Sequence, residues 1–133
     1  MAVISGDGVF SHVFMGANDV ETSAKFYDAT LGALGIKNLG PFGNGWILYG
    51  KEKPAFIIAK PGNGEIASGN GVTVGFAAAT TGEVDTFHSA GLAHGGTDEG
   101  APGERNHLPG AYAAYLRDPA GNKICAYTFS KSD

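Results

Sequence analysis

The sequence predicts an α+β fold of two βαβββ modules that form a curved mixed sheet around a cleft. Three observations predict it: short strand-like runs divided by turn residues, one amphipathic helical pattern in each half, and an ordered repeat between the halves. Shifting the first half by 61 positions lays Val13 on Val74, Phe26 on Phe87, Ala29 on Ala90 and Gly35 on Gly96. A helix that covers one face of a small curved sheet leaves the other face bare, so two such units side by side enclose a hollow of the kind ligands occupy.

The first module spans about 8–61. Residues 9–17 alternate β-branched and aromatic positions, then break at Asn18-Asp19, two good helix N-caps. Val20, Ala24, Tyr27, Leu31 and Leu34 recur at three- and four-residue steps, which predicts a helix with one apolar stripe, stopped by Gly35. Short strands follow over 36–39, 45–49 and 55–59, separated by Gly40-Pro41, Gly43-Asn44 and the stretch 50–54. Residues 62–70 are polar and glycine-rich and read as the connection between modules.

The second module, about 71–130, restarts the pattern with a strand over 72–78. Thr80 with Glu83 makes a capping box before a helix through Val84, Phe87 and Leu92, ended by Gly95-Gly96. Residues 112–116 and 123–129 are further strands, joined by the turn Asp118-Pro119-Ala120-Gly121.

Composition narrows the function. The 133 residues fit one compact domain, 1–133, and 43% apolar against 17% charged residues is globular in type. The 22 glycines have no short period and mark tight turns. A net charge of -4 with no basic cluster gives no stripe to neutralise phosphates, so no nucleic-acid partner is expected. The start, Met1 to Gly8, lacks the basic and apolar regions of a secretory signal, and no apolar run is long enough to span a membrane. Cys125 alone forms no internal disulfide, compatible with a cytoplasmic location.

Several motifs carry a family resemblance. They are Phe10-Ser11-His12-Val13, the restart from Gly69 to Phe76, the stretch from Gly95 to Gly103, and the closing Arg117-Asp118-Pro119-Ala120-Gly121-Asn122-Lys123-Ile124. Over nearly its whole length the chain resembles glyoxalase-like proteins of the vicinal oxygen chelate superfamily, with their glyoxalase, bleomycin-resistance and extradiol-dioxygenase branches. The resemblance implies a divalent cation held by His and Glu on the first and last strands of each module, and frequent homodimers that sometimes exchange halves between chains. Position by position, His12 matches a ligand, Thr73 stands where His is frequent, and Cys125 stands where Glu is usual. Pro54 to Lys60 holds no donor of these types. A catalytic metal commonly keeps about three protein ligands. The expectation is therefore no tightly held metal, with His12 and Cys125 as weak candidates for Zn, Ni, Mn or Fe.

The candidate ligand-binding residues are His12, Trp46, Thr73, Arg105, His107, Tyr112 and Cys125. His12 among apolar neighbours is a ligand, base or hydrogen-bond partner, or else a structural histidine. Arg105 and His107, in the loop 102–110, suit a carboxylate or phosphate, the alternative being a solvated loop. Cys125 is a thiolate candidate only if its pKa is lowered; the bland reading is a small buried residue. Thr73 and Trp46 have ordinary strand and core readings. Strand parity puts Tyr112 and Tyr115 on opposite faces, so only one of them lines a cleft. His88 and His94 read as structural. The expected function is small-molecule binding in the cleft, in the manner of sequestering or resistance proteins. The alternatives are a metal-dependent lyase, isomerase or dioxygenase, implied by the resemblance, and a non-catalytic interaction module.

Overall fold

A computed structural model describes residues 9–129. The elements run β1 (Val13–Gly16), α1 (Val20–Gly32), β2 (Lys37–Phe42), β3 (Trp46–Gly50) and β4 (Phe56–Ala59). They continue as β5 (Thr73–Ala77), α2 (Thr81–Ala93), β6 (Thr97–Glu104), β7 (Tyr112–Arg117) and β8 (Lys123–Thr128). The βαβββ order therefore occurs twice in an α+β fold, as the repeat predicts. The signal reading of Met1–Gly8, and position 130 of the second module, lie outside the described residues.

The mixed sheet is realised as two four-stranded halves, ordered β1-β4-β3-β2 and β5-β8-β7-β6. In each, the first strand runs parallel to the last and the other pairs are antiparallel. Parallel pairing needs a long crossover, which α1 and α2 supply. β6 is the element the sequence conceals: its TDEGAPGE run has no alternation of apolar residues, and its pairing with β7 slips twice, between Asp98 and Gly100 and between Gly100 and Gly103.

Local chemistry fixes the helix ends. The Asp19 carboxylate accepts from the N–H groups of Glu21 and Thr22, while the neighbouring Asn18 ties to Ala67 by accepting its N–H at 2.7 Å. Thr80 accepts from Glu83 N–H at 3.1 Å, and Glu83 reaches back to Ala79 N–H at 2.8 Å, one residue before the cap. Gly35, at φ 79°, lets Ile36 N–H return to Leu31 O and closes α1.

A shared core joins the modules. Phe26, Tyr27 and Leu31 of α1 are fully buried with Val84 and Phe87 of α2, Leu116 of β7 and Ile124 of β8. α1 and α2 pack against each other. Gly91 makes that approach feasible, since a Cβ there would sit 2.4 Å from Leu116 Cδ1 and 3.2 Å from Phe26 Cε1. The β7–β8 turn adds a polar tie: Tyr27 donates to Asp118 at 2.6 Å, and Asn122 Nδ2 donates to Gly16 O at 2.8 Å. Burial, reinforced by the Asp118 charge, raises the Tyr27 phenol well above its ordinary range, so it stays protonated and donates.

Candidate functional site

Strand alternation in the second module divides its side chains cleanly. Val74, Phe76, Leu116, Ile124 and Ala126 pack toward the core, whereas Thr73, Gly75, Tyr115, Lys123, Cys125 and Tyr127 occupy the opposite parity. On that open face lies a shallow hollow of about 460 Å³. It is lined by Glu99, Gly100 and Ala101 of β6, Arg105 and His107 of the following loop, Tyr115 of β7 and Lys123 of β8, all of the second module, so it is not the expected cleft between the two modules.

The twice-slipped β6 shapes the rim. Asp98 accepts Gly100 N–H at 3.0 Å and pairs with His88 of α2 at 2.8 Å, so helix and bulge are held together. The His88 bond, followed by that of Gly100, holds the Asp98 carboxyl below its ordinary value. Arg105 is pinned: Nη2 donates to Ala101 O at 2.9 Å, and Nη1 to the carbonyls of Gly103 and Glu104. Its Cζ lies 5.4 Å from the Tyr115 ring centroid and Lys123 Nζ 5.3 Å from the same centroid, both cation–π distances. Neither cation has a carboxylate within salt-bridge distance among the described residues, whereas Glu99 is engaged by Arg117 at 3.5 Å. The hydroxyls of Tyr115 and Tyr127 are hydrogen-bonded to each other. Burial, then that hydrogen bond, raises the Tyr115 pKa.

Of the residues expected to bind ligand, the hollow brings together Arg105 and His107 only. Thr73 pairs with Lys123 on the neighbouring strand, exposed and beside the lining rather than in it. Cys125 pairs with Tyr115 and is 3% exposed, its Sγ packed where Gly75 leaves room. His12 precedes β1, exposed, with Nδ1 bonded to Ser11 Oγ at 2.9 Å. Trp46 lies on the first sheet, its ring edge-on to Phe14 at 5.6 Å. Tyr112 turns to the helix side, where its hydroxyl donates to Asp85 of α2 at 2.6 Å. Parity allows one tyrosine on the open face, and that one is Tyr115. Tyr115 therefore replaces Tyr112 as the tyrosine of the lining, and Lys123 and Glu99 are lining residues that sequence reasoning passed over, although the parity set by Ile124 places Lys123 on the open face.

The residues do not fit the divalent metal that the resemblance implies. Among the described residues no three His, Cys, Asp or Glu side chains converge on one point. Of the two weak candidates, His12 is exposed and Cys125 is a buried thiol whose pKa burial pushes up to about 12, against a smaller opposing pull from Lys123 and Arg105.

Cys125 gives a direct check on this electrostatics. A thiol of pKa about 12 is roughly one part in ten thousand thiolate at pH 8, and only the thiolate attacks disulfides. Native protein at pH 8 is expected to leave dithiobis(nitrobenzoate) almost unreacted over minutes and to release one equivalent of thiolate dye once denatured. Full reaction of the native protein within minutes would contradict the buried placement.

Comparisons with known proteins agree with this architecture. The family model for the Glyoxalase/Bleomycin resistance protein/Dioxygenase superfamily matches residues 9–126. A glyoxalase/bleomycin resistance protein from Albidiferax ferrireducens is 51% identical, with a TM-score of 0.79 over 90% of this chain and 98% of that one. At 19% identity, a glyoxalase/bleomycin resistance protein/dioxygenase family enzyme from Burkholderia phytofirmans shares the fold, at a TM-score of 0.71 over 90% of this chain and 98% of that one. So does a lactoylglutathione lyase from Agrobacterium tumefaciens, also 19% identical, at 0.62 over 88% and 91%. No curated protein matches the sequence. With a family match across most of its length and a half-identical relative of the same fold, the chain belongs to the glyoxalase/bleomycin resistance protein/dioxygenase superfamily.

Proposed function

We propose that this chain binds a small organic anion in the hollow on its second sheet, without a tightly held metal, as a sequestering or resistance-type protein does. The observation that carries the reading is the pair Arg105 and Lys123, two cations on one aromatic ring with no carboxylate partner among the described residues. A charge pinned beside a hollow and left uncompensated attracts an opposite charge from solution. Binding through shape and a few polar contacts does not need the chelating residues that the metal-dependent lyases, isomerases and dioxygenases of this superfamily use.

The test uses protein treated with EDTA. Divalent Ni, Zn, Mn and Fe ions at about 1 mM are expected to shift its Tm by less than about 1 °C, because only a tight ligand of the native state stabilises it appreciably. Calorimetric titration with a panel of small carboxylates is expected to give the same affinity before and after EDTA. Near-stoichiometric metal that survives purification, or binding that appears only with added metal, would overturn the proposal in favour of the metal-dependent reading.

A homodimer is part of the same proposal. Its support is the open face of the first sheet, where Phe14, Phe42 and Trp46 form an exposed run of aromatic contacts, the last two rings 6.2 Å apart. Sedimentation at micromolar concentration is expected to give twice the chain mass, and a monomer would remove this element. No helix among the described residues is long and apolar enough to cross a membrane. A cytoplasmic location, checked by cell fractionation, completes the proposal.

A further inference from the structure

The hollow offers more than a single positive charge, and the layout of its charges restricts what fits. β7 carries Tyr115 between β8, which supplies Lys123, and β6, whose C-terminal extension supplies Arg105. Arg105 stays on the β6 side, because its N–H bonds Ala111 O just ahead of β7 and its Nη2 returns to Ala101 O. Arg105 lies level with Ala111, and Lys123, two strands over, with Arg117. At about 4.8 Å per strand and about 3.3 Å per residue, the two cations are rooted roughly 20 Å apart on a diagonal across β7 and lean toward the Tyr115 ring from opposite ends. Their charges are no further apart than the sum of their distances to that ring centroid, 5.4 and 5.3 Å.

The two cations are also unequal in chemistry. Arg105 has three hydrogen bonds committed to backbone carbonyls, which fixes its charge and removes most of its bidentate fork. The Lys123 side chain makes no hydrogen bond or ion pair with a described residue, so its ammonium remains an adjustable point donor. Glu99, the acidic group of the lining, is held by Arg117 and does not cancel them. A compact trianionic oxygen cluster calls for converging forks. A chain with an anionic group at each end matches two separated cations, one fixed and one adjustable.

Resting on the anion-binding reading above, we infer that the ligand class is an extended organic dianion, a dicarboxylate whose two carboxylates span Arg105 and Lys123. The test titrates the EDTA-treated full chain at low salt with pentanoate, glutarate, hexanoate, adipate and inorganic phosphate. Glutarate or adipate is expected to bind about tenfold more tightly than the monocarboxylate of equal length, and more tightly than phosphate. Lys123→Gln is expected to erase that advantage and Lys123→Arg to keep most of it. If the monocarboxylates bind within about twofold of the dicarboxylates while Lys123→Gln weakens both, the dianion inference falls and anion binding stands. If phosphate binds tightest, the separated-charge inference also falls. If nothing binds at about 10 mM, or Lys123→Gln changes nothing, both readings fall together.

Discussion

Replacing Asp118 by Ala is expected to destabilise the protein by about 3–5 kcal/mol, measured as a fall in the urea midpoint at unchanged slope. The size follows from how many buried groups lose their partner at once. One carboxylate, 4% exposed, accepts the Tyr27 hydroxyl at 2.6 Å, the N–H groups of Ala120 and Asn122 at 2.9 Å, and Asn122 Nδ2 at 3.0 Å. Tyr27 is fully buried in the joint core, so its hydroxyl has no water to turn to. The freed Asn122 amide would also hold Gly16 O of the first module less firmly. Tyr27→Phe, which removes donor rather than acceptor, is expected to cost only about 1 kcal/mol. Equal losses for the two substitutions would contradict the hub role of Asp118.

Lys123→Gln is expected to weaken carboxylate binding by about tenfold while leaving the urea midpoint nearly unchanged. Its ammonium lies 5.3 Å from the Tyr115 ring and holds no structural hydrogen bond or ion pair with a described residue, so its charge serves the hollow rather than the fold. The effect is expected to shrink as salt rises, since the lining opens to solvent. Thr73→Ala and His12→Ala, whose side chains lie outside the lining, are expected to alter affinity by less than about twofold. A tenfold loss from His12→Ala would move the site to the first module.

Most of the fold was legible, because each helix carries its own caps and stripe. Asp19 and Thr80 cap where the sequence places caps, and Gly35 ends α1 through its positive φ. β6 was not legible: a strand written in Asp, Glu, Gly and Pro is held by its pairing with β7, a tertiary fact that propensity does not carry. Residue 9 to residue 12 likewise reads as strand from its apolar residues but precedes β1, with Val9 and Phe10 each 72% exposed.

The site was legible in part. Arg105 and His107 announced themselves as charged loop residues before a strand, and both line the hollow. Lys123 was hidden, and the choice of Tyr115 over Tyr112 left open, for different reasons. Lys123 sits in the run Arg117 to Ile124, whose turn chemistry invites a purely structural reading, and much of that run is structural: Arg117 donates to Gly69 O and Gly121 O, and Asp118 and Asn122 join the modules. Tyr115 differs from Tyr112 only in parity, and parity says which two faces exist without saying which one the helix covers. His12 and Trp46 belong to the first module whereas the second module alone lines the hollow, and Cys125 shares the open-face parity but is buried beside Tyr115, neither of which a local pattern encodes.

The most direct measurement of the central claim is an amide chemical-shift map of metal-free protein titrated with glutarate. The account predicts saturable shifts centred on Gly100, Ala101, Tyr115 and Lys123, unchanged by EDTA. Shifts centred on the residues around His12 and Trp46, or shifts that arise only after a divalent ion is added, would contradict it.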